Sequence, residues 1–134
     1  MLLYAVNQNA KQHTSAARWL QQAVGGSEAL GFAWSVLLGF VRISTLRAAF
    51  PNPLDADTAL DLVDDWLAAP AALIVRPTTQ HVHILRNLLR ETGTAGNLVV
   101  DAHLAALAIE HRARICSFDR DFLRFSGVTA LVPG

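Results

Sequence analysis

Cysteine occurs once in this chain, at position 116. A single thiol excludes an internal disulfide and fits a reducing, cytoplasmic setting. There is no glycine-rich phosphate loop, and the five histidines show no metal spacing such as HExxH. His81 and His83 are two apart and so do not share a helix face. No apolar run approaches the roughly 20 residues of a membrane span, and Met1-Leu2-Leu3-Tyr4 lacks the basic start of a signal peptide. No membrane partner is expected. Formal net charge is zero, so bulk electrostatics do not announce a nucleic-acid binder. No repeat, low-complexity tract or linker divides the chain, and residues 1–134 are expected to form a single domain.

What is present is apolar. The 134 residues are 52% hydrophobic and 16% charged, with a mean hydropathy of +0.31. That balance calls for a buried parallel sheet or an interface covered by a partner. The charges are unevenly placed. Asp55, Asp57, Asp61, Asp64 and Asp65 fall together, while Arg112, Arg114, Arg120 and Arg124 gather near the late carboxylates.

Helical patterns cover Ala16–Ala23, ending at Gly25-Gly26, and Trp34–Leu46, broken by Pro51-Asn52-Pro53. Asp55 is placed to cap Ala56–Ala68. Thr78 or Thr79 is placed to cap a helix that runs to Thr92 and stops at Gly93. Asn97 is placed to cap Leu98–His111. Short apolar strands are expected at Leu30–Ala33, Leu73–Val75, Arg114–Phe118 and Thr129–Val132. Helices alternating with short apolar strands predict an α/β fold with a parallel sheet. Sites in such sheets form at the carboxyl ends of strands, where Asp119 falls.

Three carboxylates carry the chemistry. Asp101 lies early in an Ala-rich helix, where the helix dipole alone accounts for a carboxylate. The run Ala102, Ala105, Ala106 and Ala108, however, predicts close packing around it. Asp119 and Asp121 follow a strand, and a turn explains one of them better than both. Two adjacent elements of an α/β unit thus supply three acids, and a fold that gathers them needs a cation between them. A Mg²⁺ or Mn²⁺ ion held by one or two carboxylates and completed by a substrate phosphate fits that need. His103 reads as a surface or half-buried side chain, Cys116 as a buried structural thiol, and Trp19, Trp34 and Trp66 as core.

Several segments together resemble the PIN-domain family, and within it the VapC toxins of bacterial toxin–antitoxin pairs. They are Leu2-Leu3-Tyr4-Ala5-Val6-Asn7, Gly39-Phe40-Val41-Arg42-Ile43-Ser44-Thr45, Gly96-Asn97 through Ala108, and Ser117-Phe118-Asp119-Arg120-Asp121-Phe122 with Arg124-Phe125. The resemblance implies a three-layer α/β/α domain around a central parallel sheet, and a Mg²⁺- or Mn²⁺-dependent endoribonuclease acting on RNA. It also implies a small cognate VapB-like antitoxin, and the apolar composition with the helices around Trp34–Leu46 and Ala56–Ala68 suggests a surface covered by that antitoxin or by a second copy, as in a homodimer. Asp101 and Asp119 match the family's metal-binding aspartates, and Asp121 the acidic neighbour that completes the catalytic set.

Two departures stand out. The family opens with a strand ending in Asp-x-Asn just before the segment matched here by Leu2-Leu3-Tyr4, and it places a glutamate in the helix that here reads Leu37-Leu38-Gly39. Neither is in this chain. The first strand is therefore expected to lie upstream of Met1, the other explanation being a decayed toxin. Two rivals to the nuclease follow: a catalytically impaired PIN-like protein that only captures an antitoxin, and a structural α/β domain whose aspartates cap and turn.

Overall fold

The computed structural model describes residues 1–93 and 96–134, without the side chain of Asn97. The chain divides into two compact units, Met1–Ile74 with Gly134, and Val75–Pro133. Among the described residues, no helix is long and apolar enough to cross a membrane.

The first unit holds α1 (Leu2–Val6), α2 (His13–Gly25), β1 (Leu30–Phe32), α3 (Trp34–Ser44), α4 (Ala56–Leu67) and β2 (Ala72–Ile74). Asp55 caps α4 as expected, its Oδ1 accepting the Thr58 N–H at 2.7 Å. Helix α3 ends two residues before Leu46 and well before the prolines. The Thr45 hydroxyl donates to the Val41 and Arg42 carbonyls at 2.8 and 3.1 Å, taking up acceptors that another helical turn would use. Leu20, Phe32, Leu37, Phe40, Val63 and Trp66 form the core. There the Phe40 ring meets Trp66 edge-on with centroids 4.9 Å apart, a favourable aromatic geometry. Trp34 does not join this core and is 49% exposed. It begins α3, whose inward side is Leu37, Phe40 and Ser44, so its ring falls outside that stripe. Strands β1 and β2 pair in parallel, Leu30 opposite Ala72 and Phe32 opposite Ile74.

The second unit holds α5 (His81–Thr92), a 3₁₀ turn (Gly96–Leu98), α6 (Val99–Glu110), β3 (Ile115–Cys116), a second 3₁₀ turn (Arg120–Arg124) and β4 (Ala130–Leu131). The threonines do not cap α5. Its N-cap is Gln80 without a side-chain bond, because the Thr78 hydroxyl donates to Glu110 instead. Gly93 closes the helix in the left-handed region at φ 69°, which costs glycine nothing. Asn97 is not the cap of α6 either. The 3₁₀ turn delays the α-helix, and Leu98 occupies the N-cap position. The alanine stripe behaves as expected, with Ala102, Ala105 and Ala106 fully buried in one cluster with Leu88, Phe122 and Phe125.

Strands β3 and β4 are shorter than their apolar runs. They also pair in parallel, Ile115 opposite Ala130 and Cys116 opposite Leu131. Both pairings have the direction an α/β sheet requires, and among the described residues they form separate two-stranded ladders.

Candidate metal centre

Asp101 lies in the first turn of α6, where the exposed ends of backbone N–H groups favour a carboxylate. Behind it, Ala102, Ala105 and Ala106 have no side-chain length to spend, so the helix seats deeply and carries Asp101 into a partly buried position. Asp119 follows β3 and caps the second 3₁₀ turn. Its own N–H donates to Ser117 Oγ at 3.0 Å, and its Oδ1 accepts the Asp121 N–H at 2.8 Å. Asp121 then projects from the first turn, with Arg124 Nε 3.7 Å from its Oδ1. Both members of that pair are about half exposed, so the attraction is heavily screened.

These local structures bring Asp101, Asp119 and Asp121 together. One oxygen of each lies within 4.8 Å of the others. Burial raises the Asp101 carboxyl above the usual carboxylate range, and the negative charges of Asp119 and then Asp121 raise it further. That repulsion is what a bound dication would remove.

The donor set fits a hard cation. Carboxylate oxygens suit Mg²⁺ and Mn²⁺, and with bonds of about 2.0–2.1 Å neighbouring ligands on an octahedral Mg²⁺ stand about 3 Å apart and opposed ones about 4 Å. The three oxygens, within 4.8 Å of one another, would have to draw closer to share one ion.

Three arginines are candidates for contact with a substrate phosphate. Arg42 lies on α3 in the first unit, and Arg112 follows α6 with a left-handed φ of 52°. Arg120 opens the 3₁₀ turn, and all three are exposed. Cys116 is the inert thiol expected, its pKa pushed up to about 11 by burial.

Sequence reasoning missed a chain of polar groups across α5 and α6. The Glu110 side chain is 2% exposed. Its Oε1 accepts the N–H and hydroxyl of Thr78 at 2.8 and 2.6 Å, and its Oε2 lies 2.6 Å from His81 Nδ1. His81 Nε2 is in turn 2.9 Å from His103 Nδ1. Burial opposes the charge on Glu110, but the bonds from Thr78 and His81 outweigh it and hold its carboxyl below its usual range. No sequence spacing signals this group, because it exists only once α5 packs along α6.

The profile of the PIN domain matches residues 1–128. Ribonuclease VapC37 of Mycobacterium tuberculosis is 53% identical over 128 residues, which cover 96% of this chain and 89% of that protein. Ribonuclease VapC33 of the same organism is 38% identical, covering 94% and 88%. VapC ribonuclease Mb2897 of Mycobacterium bovis is 39% identical, covering 93% and 85%. Among solved structures, VapBC2 of Rickettsia felis, bound to a DNA fragment from its promoter, superposes with a TM-score of 0.65 at 15% identity. The match covers 97% of this chain and 91% of that one, and at that identity it speaks to the fold alone. With an α/β arrangement and parallel pairing in place, these likenesses make the chain a member of the PIN-domain family, in its VapC group.

Proposed function

We propose that this chain is a metal-dependent endoribonuclease, the toxin half of a VapBC-type pair, that cleaves RNA phosphodiester bonds at Asp101, Asp119 and Asp121. The observation that carries the reading is the convergence of three carboxylates within 4.8 Å, in a chain whose relatives are named as ribonucleases. Asp101 and Asp119 would hold Mg²⁺ or Mn²⁺, which would serve to polarise the scissile phosphate and acidify a coordinated water. Asp121, whose side chain is 46% exposed, is open to solvent and takes the proton of the attacking water or supports the ion. Asp119 is oriented by its cap bonds and Asp101 by the packed alanines behind it, so neither has to be ordered when substrate arrives. Arg42, Arg112 and Arg120 are available to RNA phosphates.

The reading includes a small antitoxin, a homodimer and a cytoplasmic setting. Support for a partner comes from the VapBC2 neighbour and from α3, where Trp34 and Leu38 are exposed one turn apart. The reading also treats residues 1–134 as one functional domain.

The test is RNA cleavage by the purified chain, with and without co-expressed antitoxin, in Mg²⁺, Mn²⁺ or EDTA. Cleavage should require the dication and vanish in Asp101→Asn and Asp119→Asn. Cleavage that survives chelation would defeat the assignment. One observation favours the non-catalytic rival that only captures an antitoxin: the α3 stretch Leu37-Leu38-Gly39 holds no carboxylate. Normal antitoxin binding without dication-dependent cleavage would select it.

A further inference from the structure

The polar chain across α5 and α6 uses none of the three carboxylates of the candidate centre. Two imidazole nitrogens, His81 Nε2 and His103 Nδ1, face each other at 2.9 Å. The rings cross at 77° with centroids 4.8 Å apart. The far nitrogen of His81 is tied at 2.6 Å to a buried carboxylate, which Thr78 fixes through two further bonds. An ionised Glu110 only accepts, so His81 Nδ1 carries a proton, and in the neutral ring the Nε2 lone pair then points at His103. This carboxylate–histidine order is the arrangement that orients metal-binding imidazoles.

We propose that His81 and His103 form a nitrogen-donor site for a transition-metal dication such as Zn²⁺, with Glu110 orienting His81 from behind. Two nitrogens on one tetrahedral Zn²⁺, with bonds of about 2.0–2.1 Å, stand about 3.3 Å apart. The observed gap therefore needs to open by about 0.4 Å, with the two rings turning so that both lone pairs meet at the ion. Binding requires His103 to move its proton from Nδ1 to Nε2, so both imidazoles stay neutral and no other group has to take a proton. Solvent supplies the remaining ligands, reaching His81 through its 12% exposed side chain. Imidazole donors disfavour Mg²⁺, so Mg²⁺ does not compete for this site. A bound ion would fasten the first residue of α5 to the middle of α6.

The inference does not rest on the ribonuclease reading, and its test does not use cleavage. The 134-residue chain is melted with increasing Zn²⁺ in saturating Mg²⁺, which competes for the three carboxylates. A saturable rise in Tm is expected. It should disappear in His81→Gln and His103→Gln and persist in Asp101→Asn. Glu110→Gln keeps both imidazoles and should weaken Zn²⁺ binding about 10- to 100-fold. Should the histidine variants fail to fold, ¹⁵N spectra of the unmodified protein decide. Zn²⁺ should move the ring resonances of His81 and His103 and leave those of His13, His83 and His111 in place. The absence of any Tm rise, a rise retained without the two histidines, or ring shifts at the other histidines would leave a hydrogen-bonded staple only and overturn the proposal.

Discussion

Asp119 Oδ1 accepts the backbone N–H of Asp121 at 2.8 Å, so one carboxylate of the candidate centre positions the next. Asparagine keeps that acceptor and loses the charge. Asp119→Asn should therefore fold normally while binding Mn²⁺ at least about tenfold more weakly, about 1.4 kcal/mol. Asp101→Asn should behave alike. Calorimetry on both, with circular dichroism as the control for folding, is the check. Unchanged Mn²⁺ affinity in both would remove the metal assignment.

Glu110 gathers three hydrogen bonds in a side chain that is 2% exposed. Glu110→Ala should cost about 1–2 kcal/mol, since the part-buried His81 ring and the exposed Thr78 donors lose their acceptor. Thr78→Val should cost less, because the Thr78 backbone N–H keeps its bond. Urea titration of the three proteins should give that order.

The same carboxylate sets an acid limit. Its pKa in the fold lies below its ordinary 4.5, so the unfolded chain binds its proton first as the pH falls. The stabilisation it provides is fully present above pH 4.5 and lost as the pH drops through the lower folded value. Glu110→Gln should flatten that part of the stability–pH curve. An acid limb as steep as in the unmodified protein would show that other carboxylates produce it.

Ala105 has no exposed surface. Ala105→Leu should destabilise the second unit by about 1–3 kcal/mol through overpacking. It should also displace Asp101, so Mn²⁺ affinity falls together with Tm. A loss of Tm with unchanged Mn²⁺ affinity would show that the helix seat does not position Asp101.

Gly93 adopts φ 69° with open space where a Cβ would stand. Its replacement is therefore a problem of backbone conformation alone. Gly93→Ala should cost about 1–2 kcal/mol and Gly93→Asn less, as measured by thermal melting.

The carboxylates and the alanine stripe were legible in the sequence because they depend on neighbours close in the chain. Asp119 and Asp121 share one turn, and Ala102 to Ala106 make one face of a helix. Asp55 and Gly93 were legible for the same reason, as a cap and a left-handed stop. Thr78 was misread as a cap because its actual partner, Glu110, stands on another helix. The His81–His103 contact was invisible for the same cause. Strand lengths failed differently: an apolar run reports burial, whereas a ladder also requires a partner in register, and only Ile115 and Cys116 of the longer run obtain one. Trp34 shows that residue type alone does not place a side chain, since its position at the start of α3 decides.

All three acids of the candidate centre lie in one short stretch, from Asp101 to Asp121. Closing a loop of about 20 residues costs roughly 3 kcal/mol, and the cost grows only slowly with length. A denatured chain that still gathered the three acids would bind the ion too. Ligand bound by both states cancels from the folding equilibrium, so Mn²⁺ should raise Tm by less than its affinity for the native protein would give by mass action. The shortfall would measure how much of the centre survives when the helices do not.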